Sequence, residues 1–181
     1  MKLSPLVLAL AIMPSAAAAS VIAVGGGYAQ SCYEAAEAQD VTARSLNICD
    51  RALAEEALPA DDRVATFVNR GIIRLRRANL SAAEADFDAA LSLDSREPEA
   101  WLNKAILYAR YRDSRDALPF VTKALEHGTR HPEVAYFVRG MANEDSGNIP
   151  AAYRDFQRAR SLAPTWNEPL AELARFQVRR P

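Results

Sequence analysis

Two cysteines and two histidines are the scarcest reactive side chains in this 181-residue chain, and their spacing limits what they can do. Cys32 and Cys49 lack the Cys-x-x-Cys spacing of a redox site or metal knuckle. His127 and His131 stand four apart, as a metal pair on one helix face would, but Gly128 and Pro132 break the helix such a pair needs. Loop histidines, and no metal site, are the expectation. Residues 25–27 are three glycines without the Gly-x-x-x-x-Gly-Lys-Ser/Thr spacing that cradles phosphate. Neither a Gly-x-Ser-x-Gly nor a His-Glu-x-x-His pattern occurs. The acidic clusters Glu55, Glu56 and Asp61, Asp62 read as solvated loop charges, and Arg175, Arg179 and Arg180 as a frayed basic tail. No catalytic residue and no cofactor emerges, so the reading is a protein that is not an enzyme.

The elements that must hold these residues follow from composition and pattern. Half the chain is apolar and a quarter charged, which suits one modest globular domain rather than a disordered one. Lys and Arg number 22 against 23 Asp and Glu, a balance that argues against nucleic acid or an anionic membrane as partner. Lys2 is the only charge before Glu34; an apolar run at 6–13, Pro14 and small residues at 15–19 follow. This is the layout of a secretory signal peptide over residues 1–19, with residues 20–30 as a flexible linker. The apolar run falls short of the roughly 20 residues a membrane span needs, so no stable insertion is expected once the signal is removed. An uncleaved anchor extending through residues 21–24 is the alternative, disfavoured by Pro5 and Pro14. The chain is therefore expected in the periplasm or secreted, where an even pair of cysteines reads as a disulfide. Helical periodicity over 31–38 and 42–54 places Cys32 and Cys49 at similar heights on antiparallel neighbours, so the pair reads as a staple.

An internal repeat organises the rest. Phe67, Trp101 and Tyr136 are spaced by 34 and then 35 residues, and so are Ala83, Ala117 and Ala152. Phe87, Val121 and Phe156 keep the same spacing, as do Ala90, Ala124 and Ala159. One insertion between Leu125 and Tyr136 explains all four columns, and a period in the mid-thirties with helical patterning signals stacked helix pairs. Gly71, Ala105 and Gly140 follow each aromatic by four residues, on one helix face, where a small side chain admits a close neighbour. Ser81 and Glu84 read as a capping box, Gly147 and Asn148 as a turn, and Pro98, Pro132, Pro150 and Pro169 as first-turn prolines.

These columns resemble the tetratricopeptide repeat (TPR) family, whose unit carries an aromatic, a Gly or Ala, then Ala, Phe and Ala, and a closing Pro. Units run over 64–97, 98–130 with a short insertion, and 133–166, the last ending in Leu162, Ala163, Pro164. Ser95 and Thr129 replace the closing Pro in the first two, and Arg74 and Asn143 stand where a Tyr-like residue belongs. Ser45, Cys49, Ala52 and Leu53 fit the second helix of a degenerate N-terminal hairpin over 31–60, and residues 167–178 a solvating helix that closes an array spanning 61–181. The resemblance implies an all-α, right-handed solenoid of about nine helices that binds a protein or peptide on the concave face of its first helices. Carried over by position, that face holds Val68, Asn69, Ile72, Leu75 and Arg76; Leu102, Asn103, Ile106 and Arg110; and Phe137, Met141, Glu144 and Asp145. The apolar members would form a strip for an apolar helix or segment, with Arg76 and Arg110 at one end selecting acidic residues. Burial of the strip by the N-terminal hairpin or in a homodimer stays open as the alternative, the second making a self-associating structural protein.

Overall fold

A computed structural model describes residues 27–176; the signal-peptide reading, most of the linker and the last residues of the basic tail lie outside that span. Nine α-helices fill the described chain: α1 (Tyr28–Glu37), α2 (Ala43–Glu55), α3 (Ala60–Arg76), α4 (Leu80–Leu93), α5 (Pro98–Tyr111), α6 (Leu118–Glu126), α7 (Pro132–Asp145), α8 (Ile149–Leu162) and α9 (Glu168–Arg175). A 3-10 turn, Ser114–Ala117, leads into α6. The helices pair as α1/α2, α3/α4, α5/α6 and α7/α8, each pair packs on the next, and α9 lies on α8. The fold is an all-α solenoid of helical hairpins.

Each of the three repeat hairpins, α3/α4, α5/α6 and α7/α8 in that order, carries one size-matched pair. Gly71 lies under Phe87, and a Cβ built on it would sit 2.5 Å from the ring; at Gly140 the same Cβ would sit 2.7 Å from Phe156. In the middle hairpin both sizes change together, to Ala105 and Val121, each fully buried. Small under large, and medium under medium, keeps the summed volume near constant, as close packing requires.

A second, polar contact follows the same register. Nε and Nη2 of Arg70 donate to Asp86 over 2.7–3.2 Å, and Nη1 of Arg74 donates at 2.8 Å. In the third hairpin Arg139 donates to Asp155 at 2.7 and 2.9 Å, and Asn143 at 2.9 Å. Asp86 and Asp155 are buried, so the residues that replace the Tyr-like position, Arg74 and Asn143, are the donors that satisfy a carboxylate inside the hairpin. Where Tyr108 is kept, the carboxylate position holds Phe120 instead, 4.9 Å from the Tyr108 ring, with Nζ of Lys104 5.0 Å over it. The departures from the repeat pattern are thus paired with one another.

The N-terminal hairpin is stapled rather than packed. α1 buries only Ala29, Cys32 and Ala36, which release little apolar area. Cys32 and Cys49 form a disulfide, both fully buried. The Glu56 carboxylate accepts from the backbone N–H of Tyr28 at 2.5 Å and Ala29 at 3.0 Å, at the positive end of the helix dipole. At the other end Nη1 of Arg76 donates to the Ala36 carbonyl at 2.6 Å. Three expectations need correction. α1 begins at Tyr28, so residues 28–30 of the expected linker are its first turn, drawn in by the Glu56 cap. The capping box at Ser81 is absent: Asn79 holds the cap position of α4, and Glu84 instead accepts from the Tyr108 hydroxyl at 2.7 Å. α9 closes the array on α8 as expected, but its outer face is apolar rather than solvating, since Leu170, Ala171 and Ala174 face outward.

Candidate partner-binding face

The first helices α3, α5 and α7 carry every residue expected to line a groove, but their packing turns most of them inward. Val68, Asn69, Ile72 and Leu75 on α3, Leu102, Asn103 and Ile106 on α5, and Phe137 on α7 are all 8% exposed or less. The reason is the spacing between neighbours. α1 packs on α3, α3 on α5 and α5 on α7, so residues four apart on one face fill the seams instead of opening into a trough. Trp166, from the loop before α9, closes the far end with its ring 4.9 Å from Phe137. The apolar strip is therefore part of the main core, which joins Val68, Ile72, Leu102, Ile106 and Phe137 in one cluster. The expected exposed apolar groove is corrected on this point. A homodimer that consumes the strip loses its basis for the same reason.

The charged members of the face separate by role. Arg76 is half-buried and spent on the Ala36 carbonyl, and burial lowers its pKa. It is not a free guanidinium for a partner, which corrects the reading of that end. Glu144 accepts from Nη2 of Arg175 at 2.8 Å and ties α7 to α9; burial raises its pKa and Arg175 offsets part of the rise. Met141 is half-buried, while Arg110 and Asp145 are exposed.

Arg110 lies over the Tyr111 ring, whereas Asp145 lines an open depression where α5, the 3-10 turn and α7 meet, together with Ala109, Arg112, Asp113, Ser114 and Arg115. The Ser114 hydroxyl donates to Asp145, which joins the turn to the end of α7. Asp113 caps the turn by accepting from the Arg115 N–H at 3.0 Å. The Arg115 guanidinium and that N–H hold the Asp113 carboxyl down at about 2, so it stays ionised at any working pH. The side chains of Arg112 and Arg115 remain 46% and 62% exposed. Sequence reasoning named Asp145 but missed Arg112, Asp113, Ser114 and Arg115, which belong to a connection and to no repeated column.

A second unforeseen group is interior. Glu99, 2% exposed, accepts from the Thr129 hydroxyl at 3.1 Å and the Arg130 N–H at 2.8 Å, pinning the start of α5 to the loop before α7. Burial pushes its carboxyl up, and the Arg130 amide, His131 and the Thr129 hydroxyl pull it part of the way back. His127 ends α6 and His131 precedes α7, so the two flank a loop rather than share a helix; Nδ1 of His131 lies 3.3 Å from Glu133. Among the described residues no three His, Cys, Asp or Glu side chains converge as metal ligands would, and no helix is long and apolar enough to cross a membrane.

No family-level sequence profile matches the chain, and no curated protein does. Among solved structures the chain is similar to MamA (AMB-1), a TPR-containing protein, with a TM-score of 0.63 and 16% identity over 81% of this chain and 77% of that one. At that identity the likeness is one of fold. It supports a TPR-like helical-repeat architecture.

Proposed function

We propose that this chain is an exported, non-enzymatic scaffold that receives a protein partner on the polar rim formed by the C-terminal ends of α5 and α7. One observation carries the reading. The buried carboxylates Asp86, Asp155 and Glu99 are all engaged inside the array, whereas Arg112 and Arg115 line one open depression and stay largely exposed beside their contacts with Glu84 and Asp113. Two guanidiniums suit an acidic segment, which would meet them as charge-assisted hydrogen bonds. Helix pairs that only stack and cap one another supply rigidity and position, which is what a scaffold needs. A fully buried disulfide is compatible with the oxidising compartment that the N-terminal pattern suggests.

The test compares captures from an envelope extract by the wild-type chain, by Arg112→Glu/Arg115→Glu, and by Arg154→Glu as a surface control. A protein retained by wild type and control, lost with the double variant and released by raised salt, supports the reading. Captures identical for all three variants overturn the rim as the receiving surface. Fractionation with mass spectrometry tests export: a mature N-terminus near residue 20 in the periplasm or medium is expected, and an intact cytoplasmic chain refutes it.

A further inference from the structure

The repeat continues one helix further than the hairpins do. Leu170 stands 34 residues after Tyr136 and Ala174 34 after Gly140, so α9 carries the large and small residues of a first helix. Its register agrees: Pro169 is buried, as Thr66, Ala100 and Ala135 are at the same place in α3, α5 and α7. In each complete hairpin this face is covered by the antiparallel second helix, with Phe87 on Gly71, Phe120 stacked 6.1 Å from Trp101, and Phe156 on Gly140. On α9 no described segment covers it. Leu170 is 49% exposed, and Ala171 and Ala174 are exposed beside it.

We propose that this face is closed by α9 of a second copy of the chain, the two helices running antiparallel about a two-fold axis near residues 171–173. Leu170 and Ala174 lie one turn apart on one face, so an antiparallel copy seats each Leu170 over the Ala174 of the partner copy, twice. This is the large-on-small contact that closes the hairpins. Charge points to the same arrangement. Glu168 and Arg175 occupy opposite ends of α9, and antiparallel pairing sets Glu168 of one copy beside Arg175 of the other at both ends, whereas parallel pairing sets like beside like. The Arg175 side chain is 58% exposed despite its contacts with Glu144 and Glu172, so it is open to a further carboxylate. One short helix per copy buries less than the roughly 1,200 Å² of a stable interface, so the dimer is reversible.

Sedimentation velocity on the disulfide-bonded chain between about 5 and 500 µM tests this. The weight-average mass is expected to climb toward twice the monomer. Leu170→Glu, at an exposed position, abolishes the climb with helicity unchanged, while Glu168→Arg weakens it and Glu168→Arg/Arg175→Glu restores it. Oxidised Ala171→Cys gives a covalent dimer, and Ala54→Cys, on the exposed face of α2, does not. A constant monomer mass, association unaffected by Leu170→Glu, or equal cross-linking at both cysteines overturns the proposal. So does a wild-type monomer that binds a peptide copying residues 149–162 without self-associating, which would assign the face to a partner's second helix.

Discussion

Replacing Gly71 by Ala and Phe87 by Val together would rewrite the first hairpin in the sizes of the second. The methyl added at position 71 alone would fall 2.5 Å from Cε1 and 2.9 Å from Cδ1 of Phe87, inside van der Waals contact. Overpacking of this kind costs about 1–3 kcal/mol, from which the better helix propensity of Ala recovers at most about 1 kcal/mol. Phe87→Val alone leaves a void beneath a fully buried site and costs about 2–4 kcal/mol. The new methyl should occupy part of that void. The double variant is therefore expected to be more stable than the sum of the single changes predicts, with a coupling of at least about 1 kcal/mol. Urea unfolding followed by circular dichroism measures it, and each kcal/mol should also move the thermal midpoint by about 2–4 °C. Additivity within about 0.5 kcal/mol would show that the two positions do not share one space, and the size-matching argument would fail. A stabilising Gly71→Ala single variant would refute it equally, because the Phe87 ring would then be free to move aside.

The other expectations use the staple, the interior carboxylate and the buried strip. Cys32→Ala/Cys49→Ala removes a cross-link spanning 17 residues, about 3 kcal/mol in the chain-entropy account; amide exchange should speed up in α1 and α2 and stay unchanged in α7 and α8. Burial raises Glu99 in the folded state, so above about pH 4.3, its unfolded value, the folded chain holds more protons than the unfolded one, and stability falls as pH rises toward the raised value. Thermal midpoints should be higher near pH 5 than near pH 7.5, with Glu99→Gln flattening the slope; a wild-type midpoint that rises over that range refutes the sign. Phe137→Glu should cost about 3–5 kcal/mol, because it buries a charge against Phe156 and Trp166, whereas half-buried Met141→Glu should cost about 1 kcal/mol or less. Equal tolerance of both would mean that the strip is surface after all.

The order of elements was legible in the amino-acid sequence because helical period, turn residues and the 34-residue spacing are local or repeated signals. Four columns moving together located the hairpins, and Pro98, Pro132, Pro150 and Pro169 fall in first turns. Two cysteines equally far from the turn between antiparallel helices were enough to pair Cys32 with Cys49. Even the buried carboxylates were readable after the fact, since Arg70 with Asp86 and Arg139 with Asp155 keep the repeat spacing. Which side of an apolar stripe meets solvent is a different kind of fact. Periodicity shows that Val68, Ile72, Leu102, Ile106 and Phe137 share a face, but burial depends on how closely the next helix approaches, and that distance is set by side chains far away in sequence. The same holds for Arg76, whose reach to the Ala36 carbonyl spans 40 residues, and for Glu56, which caps a helix 28 residues before it. Local sequence determined the helices and their repeat; only tertiary packing decided which faces were consumed in building the array and which were left open.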